Sequence, residues 1–293
     1  MIVFAFFAQT LRIAIPYMFA ASGGVVSERS GLIALGLEGY MLAGAFCAAL
    51  ASYYSGSPWI GLLGAVAGGI AIASLYAVTA IRFRADQVVV GIAINLLVIG
   101  LTRFFLRLTF HSSANSPRVP GFGAEHLGTG FASLASSPLI SVGVFTVGLV
   151  AWMLYRTAFG LRLRAVGEHP AAATSVGIPV DRIRYLSAAL SGMLAALGGA
   201  YLALDQHEFS AEMTAGRGFI ALAAVIFGRW DPVRAAFACL LFAAAETLQI
   251  QLQGAQVIPS QFVEMIPYAL TIIALAGVVG RATPPAALGK VLE

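Results

Sequence analysis

Nine apolar runs divide the chain, at 2–21, 32–53, 59–81, 88–108, 139–155, 185–204, 219–227, 233–252 and 262–279. Most hold 17 to 23 residues, the length of a helix that crosses a hydrocarbon core. The run at 219–227 has nine residues, or about 14 Å of helix at 1.5 Å per residue. It reaches only part of the way across a bilayer or continues through an interrupted backbone. The pattern predicts an all-α polytopic membrane protein, a bundle of about 8–10 transmembrane helices with at least one short or interrupted. The whole chain, 1–293, reads as a single transmembrane domain. The first run has no basic segment before it and no small-residue cleavage site, so it is read as a retained helix and not a cleaved signal.

The segments between the runs orient the bundle. Residues 157–184 form the longest basic connection, and Arg156, Arg162, Arg164, Arg182 and Arg184 place it in the cytoplasm by the positive-inside rule. Arg82, Arg84, Arg281 and Lys290 then fall on the same side, while 109–138 and 205–216 face outward. Nine crossings put the N-terminus outside and the C-terminus inside. A pentapeptide echo, GLIAL at 31–35 and GFIAL at 218–222, follows an arginine both times and opens an apolar run from opposite sides. An inverted repeat with broken helices near a central path would produce that pattern.

Composition agrees. The chain is 59% hydrophobic and 10% charged, against roughly 25% charged in soluble domains, with mean hydropathy +0.89. Lys290 is the one lysine beside 16 arginines. These cations are spread over short loops and form no clustered face for nucleic acid. Cys47 and Cys239 lie in apolar stretches and suit packing. The four histidines are scattered, with no metal-ligand spacing. Gly64 and Gly68, and Ala195, Gly198 and Gly199, sit at spacings that let membrane helices approach closely.

Three constellations carry chemistry. In the cytoplasmic loop, Pro170 stands where a short helix would begin and Gly177 where it would end, with Ala171, Ala172 and Ala173 favouring helix between. This is either an ordinary connection or a docking element for a cytoplasmic partner. Glu38, Asn95 and Glu246 are polar residues within apolar runs. An ionisable group at the bilayer centre costs about 2.5–3.5 kcal/mol on insertion scales and usually faces the bundle interior. Glu38 and Asn95 each fall about 10 Å from the cytoplasmic end of their runs, where they line one path or, for Glu38, bond nearby backbone or Arg29. Finally, GRWDP at 228–232 makes a turn in which Arg229 and Trp230 suit an interface and Asp231-Pro232 starts a helix. The chain has no G-x-x-x-x-G-K-[ST], G-x-S-x-G or H-E-x-x-H. Any ATP chemistry would belong to another chain.

ERSGLIALGLEG (28–39), RADQVVVGIAINLL (84–97), FGLRLRAVGEHPAAATSVGI (159–178), LSGMLAALGGAYLAL (190–204) and MTAGRGFIALAAVIFGRWDP (213–232) resemble permeases of the nucleoside and simple-sugar ABC importers, within the larger branched-chain amino acid permease group. The resemblance implies a non-enzymatic permease of the bacterial inner membrane. It is paired with a second homologous permease, a cytoplasmic ATPase that carries ATP and Mg, and an extracytoplasmic substrate-binding lipoprotein. No cofactor in this chain is implied. It also implies that 168–176 is the coupling helix, with Glu168, His169, Pro170, Ala171, Ala172, Ala173, Thr174 and Gly177 seated against the ATPase. Glu38, Asn95, Ala34, Gln87 and Glu246 are the candidate pathway residues. The sequence departs from the family, which often has Asn where Ala34, Asp86 and His169 stand. The first two departures bear on substrate, and the third removes a strong helix cap. Branched-chain amino acids, riboflavin-like molecules and sugars are rival cargoes to nucleosides. The rival mechanisms are a secondary transporter with Glu38 or Glu246 as proton site and an integral membrane enzyme.

Overall fold

The computed structural model describes residues 2–112, 114–122, 138–255 and 283–290. Among these residues, ten α-helices account for nearly all regular structure: α1 (Ile2–Arg29), α2 (Leu37–Ser55), α3 (Pro58–Ala77), α4 (Gln87–Phe110), α5 (Pro138–Arg156), α6 (Ala158–Glu168), α7 (Pro170–Ser175), α8 (Val180–Gln206), α9 (Arg217–Phe227) and α10 (Pro232–Ala255). A π-helical turn, Val78–Arg82, extends α3. The first eight apolar runs each coincide with a helix. The ninth, 262–279, lies outside the described residues, as does Arg281.

Local chemistry sets the boundaries. Asp86 caps α4 by accepting the N–H groups of Val88 (2.8 Å) and Val89 (3.0 Å). At this position Asp and Asn cap equally well, so the departure noted at Asp86 serves the helix start. Asp231 does the same for α10, accepting from Val233 and Arg234. Pro58 opens α3 at its first turn, where the missing N–H costs nothing.

Packing orders the helices from the centre outward. Helix α8 is the hub, buried along most of its length between α1, α2 and α3. Small residues permit this closeness. A methyl group added at Gly199 would overlap the Met41 carbonyl of α2, and one at Gly192 would overlap the Gly69 carbonyl of α3. In lipid, dispersion contacts at such crossings hold helices together because no hydrophobic force does. The outer helices instead present Leu63, Leu96, Phe104, Phe145, Trp152 and Phe237 on the surface, an apolar face suited to lipid or to another membrane subunit.

Among the described residues, five spans are long and apolar enough to cross a membrane: Pro58–Arg82, Gln87–Phe110, Pro138–Arg156, Val180–Gln206 and Pro232–Gln253. Helices α1 and α2 have comparable length but are enclosed by protein. They carry Ser, Gly, Tyr and Glu that a lipid-facing helix would lack.

The two ends of the bundle are distinct. At one end Arg29, Arg84, Arg156, Arg184 and Arg234 meet α6, α7 and the 283–290 segment, where Ala287 N–H bonds Gly167 O at 2.9 Å and Gly289 N–H bonds Gly31 O at 3.1 Å. This is the cytoplasmic end. At the other, segments 114–119 and 207–211 pair through Ser116 N–H to Phe209 O and Val119 N–H to His207 O, both 2.8 Å. Those are the two segments expected outside. Helix α6 was not foreseen within 157–184. Its buried face, Gly160, Leu163, Val166 and Gly167, has helical spacing that the loop's charge concealed.

Candidate functional site

Two helix starts meet inside the bundle. Helix α1 ends at Arg29 on the cytoplasmic side, and the non-helical stretch 30–36 climbs back inward before α2 begins at Leu37. From the opposite side, residues 207–216 leave α8 and fold into the bundle. Phe209 is fully buried there and stacks edge-on against Phe46 at 5.3 Å. Helix α9 then runs eleven residues to the cytoplasmic end. The pair α1–α2 and the pair α8–α9 thus run in opposite senses. The GLIAL and GFIAL echo occupies different places in them: 31–35 is the non-helical lead-in to α2, whereas 218–222 is inside α9. The inverted relation belongs to the elements and not to those five letters.

Glu38, in the first turn of α2, joins the two starts. Its Oε1 accepts Gly216 N–H at 2.9 Å and its Oε2 accepts Gly218 N–H at 2.7 Å. The residue is 7% exposed. Two helix N-termini therefore converge on one buried carboxylate, and both dipoles favour its charge. Glu38 was placed about 10 Å along its helix by counting from residue 32. Its depth comes instead from the non-helical lead-in, because the backbone bends at Gly31 (φ +90°).

Asn95 braces the same break. Its Oδ1 accepts Gly39 N–H at 2.8 Å and its Nδ2 donates to Leu35 O at 2.9 Å. Gln87 acts about two turns closer to the cytoplasm, its Oε1 accepting Ile33 N–H at 2.8 Å. Ala34 is buried and donates its N–H to Glu28 Oε1 at 3.2 Å. Three separated polar residues of the sequence thus hold one irregular stretch whose peptide groups would otherwise be unsatisfied in an apolar interior.

Glu38 and Asn95 also border a cleft of about 420 Å³ with Leu42, Ile92, Ile99 and the half-exposed Phe219. Arg103 and Glu212, paired at 3.3 Å on the outer side, form its mouth. Ala34, Gln87 and Glu246 do not line this cleft. Glu246, on α10, accepts from Tyr17 Oη and from Arg217 Nη2 (3.2 Å), and Arg217 Nη1 also donates to Met213 O at 2.7 Å. The first residue of α9 is therefore clamped on the side away from Glu38.

A second network was missed in the sequence. Trp230 is not at an interface; it is 5% exposed. Its indole Nε1 donates to Glu28 Oε2 at 2.5 Å, and its carbonyl accepts from Arg29 Nε at 2.8 Å. The turn reaches this position through left-handed conformations at Arg229 (φ 53°) and Trp230 (φ 57°), which non-glycine residues adopt rarely. No local pattern announces a contact across 202 positions; only the oddity of an acid beside an apolar run hinted at it.

On the cytoplasmic end, α7 stands as the sequence suggested. Pro170 is its first residue, and Gly177 (φ +81°) follows its last turn. Ile178 N–H bonds Ala173 O at 3.0 Å and Gly177 N–H bonds Thr174 O at 2.9 Å, a left-handed termination that satisfies the end carbonyls. His169 precedes it with no side-chain cap. Ala171, Ala172, Thr174, Ser175 and Val176 are exposed and Ala173 is buried beneath them. Glu168 faces the 283–290 segment, accepting Ala286 N–H at 3.2 Å.

The comparisons fit this geometry. Residues 6–275 match the family model for the branched-chain amino acid transport system / permease component. The guanosine ABC transporter permease protein NupQ of Bacillus subtilis is 40% identical, over 96% of this chain and 93% of NupQ. The nucleoside ABC transporter permease protein NupC of Lactococcus lactis is 37% identical, over 96% and 94%. Bacillus subtilis also has a more distant relative, the guanosine ABC transporter permease protein NupP, 25% identical over 88% of this chain and 77% of NupP. A solved metal-chelate type ABC transporter in an inward-facing conformation shares the fold, with TM-score 0.53 and 14% identity over 92% of this chain and 85% of that one. By its matched length and by these relatives, the chain belongs to the permease family of the branched-chain amino acid transport system.

Proposed function

We propose that the chain is the permease subunit of an ATP-driven (ABC) importer in the bacterial inner membrane, and that it moves nucleosides by alternating access. The observation that carries this reading is α7: a six-residue helix on the cytoplasmic side, anchored by buried Ala173, with Ala171 and Ala172 exposed and Val176, just beyond it, 75% exposed. Together these give an exposed apolar face that a partner can cover. That partner is a cytoplasmic ATPase, which supplies ATP and Mg. Residues 168–177 transmit its motion to α6 and α8.

Nucleosides are favoured because NupQ and NupC, at 40% and 37% identity, carry guanosine or nucleoside in their names. The cleft suits such a cargo. Phe219 offers a face for a base, and Glu38 and Asn95 offer polar groups beside apolar walls. Weak contacts suffice here, since a tight central site would trap the cargo. A second, homologous permease completes the membrane core, a reading supported by NupQ and NupP occurring in one bacterium. A substrate-binding lipoprotein docks on the outer end.

The test is to extract the chain from its native membrane in mild detergent and identify what co-purifies. Recovery of a P-loop ATPase and a second permease supports the proposal. A chain that emerges alone, and still transports without ATP, contradicts it in favour of an ion-driven carrier.

A further inference from the structure

A second cleft, of about 470 Å³, opens on the cytoplasmic end between the π-helical turn, the start of α4, the α7–α8 connection and the 283–290 segment. Arg84, Arg182, Arg184 and Lys290 line it, against a single acid, Asp181, on its exposed rim. Cations on a cytoplasmic loop ordinarily spread into water. Three features set this group apart.

Arg184 is 3% exposed. Its Nε donates to Ser30 O at 3.3 Å, and its Nη2 has no hydrogen-bond partner among the described residues. A buried guanidinium with an unused donor is costly unless something accepts from it. The cleft also receives the N-terminus of α8, a 27-residue helix whose first residues Val180, Asp181 and Arg182 line it. Its cap position is Pro179, and no side chain caps it among the described residues. Free N–H groups and the positive end of the dipole there favour an anion. Finally, Gln87 places a neutral amide on the same wall. The volume exceeds what a bare inorganic ion fills and falls in the range of ligand pockets, roughly 300–1,000 Å³.

We propose that this cleft is a binding site for a phosphoryl group carried on a larger molecule. The charge-assisted donors of the exposed Arg182 and Lys290 hold the phosphate oxygens, the buried Arg184 adds positive charge to the wall, and the α8 N-terminus contributes backbone N–H groups. Two sources share this chemistry: the headgroup of an anionic phospholipid in the inner leaflet, and a soluble phosphate monoester. Thr174 and Ile178 line the same cleft, so a bound phosphoryl group braces the α7–α8 connection. The proposal does not depend on which cargo the permease moves.

The experiment uses the assembled transporter in dodecyl maltoside micelles, which carry no phosphate. Guanosine monophosphate is titrated into one sample, and phosphatidylglycerol is added to the micelles of a second. Backbone hydrogen exchange of residues 174–184 is read in each. Slower exchange with phosphatidylglycerol alone identifies a lipid headgroup, and slower exchange with guanosine monophosphate identifies a soluble ligand; either supports the site. The exposed pair Arg182→Gln/Lys290→Gln leaves the Arg184–Ser30 contact in place. It should weaken the response by about tenfold or more, the loss expected for two charge-assisted contacts. The proposal is overturned if neither probe changes exchange, or if the double variant responds as wild type does.

Discussion

Glu38 and Gly218 are each other's constraint. The Glu38 carboxylate accepts the Gly218 N–H at 2.7 Å, and the space where Gly218 would carry a Cβ is filled by the Glu38 backbone. The contact fuses the starts of α2 and α9 at the place where both helices break. Gly218→Ala should therefore force the two apart. Overpacking of this kind costs about 1–3 kcal/mol, read as a lower unfolding temperature in detergent and as reduced uptake. Glu38→Gln keeps an acceptor for one N–H but turns an amide donor toward the other. It should cost about 1–3 kcal/mol, the penalty of a buried donor left unpaired.

Arg217 and Glu246 clamp the other side of α9. Arg217→Met leaves the Glu246 carboxylate within the bundle without its cation. Breaking this partly buried pair should cost about 1.5–3 kcal/mol, the worth of a hydrogen bond between charged groups, while replacing both partners by apolar residues is much milder. Arg217→Met/Glu246→Met should thus be more stable than Arg217→Met alone. A double variant no more stable than the single one would show that the ion pair does not hold α9.

Trp230→Phe tests the missed network. The phenyl ring fills most of the indole's space, but Glu28 loses the indole donor. A loss of about 1–3 kcal/mol is expected, measured by thermal unfolding of the purified protein. Trp230→Phe should add little when Glu28 is already replaced by Leu, because the two residues share one interaction.

Glycines separate by what faces them. Gly199→Ala drives a methyl into the Met41 carbonyl, whereas Gly148→Ala meets nothing within 4 Å. The first should destabilise by about 1–3 kcal/mol. The second should be neutral or stabilising by up to about 1 kcal/mol, the helix-propensity gain. Unfolding temperatures of the two variants, measured side by side, check this.

Much of the fold was legible because lipid imposes length and apolarity on any helix that faces it. The runs that became α3, α4, α5 and α10 follow that rule directly. The rule weakens where protein encloses a helix. Helix α1 continues through Ser22, Ser27 and Glu28 to Arg29, beyond the apolar run, since these residues are buried against α8 and Trp230. Helix α2 begins five residues later than its run, since Leu32 to Gly36 are apolar yet non-helical, held by Gln87, Asn95 and Glu28 from elsewhere in the chain. Short helix α7 was readable from Pro170 and Gly177, because cap chemistry is local. The bonds from Glu38 to Gly216, from Glu246 to Tyr17 and from Trp230 to Glu28 were not, because each spans more than 170 positions and only the fold brings the partners together.

The coupling role proposed for α7 has its own consequence. A Pro170→Gly/Ala172→Trp/Gly177→Val variant removes the helix start, blocks the exposed face and places a branched residue at φ +81°, where only glycine sits without strain. Uptake should fall by more than about tenfold, the equivalent of 1.4 kcal/mol in coupling. Membrane insertion, judged by extraction and size-exclusion profile, should be unchanged. Normal uptake in this variant would exclude α7 as the coupling element.

The most direct measurement is guanosine uptake into proteoliposomes holding the complete co-purified assembly, with ATP on the side that α7 faces and with the ion gradients collapsed. The account predicts accumulation that requires ATP and persists in the presence of an uncoupler. Accumulation that continues without ATP and disappears with the uncoupler would contradict it.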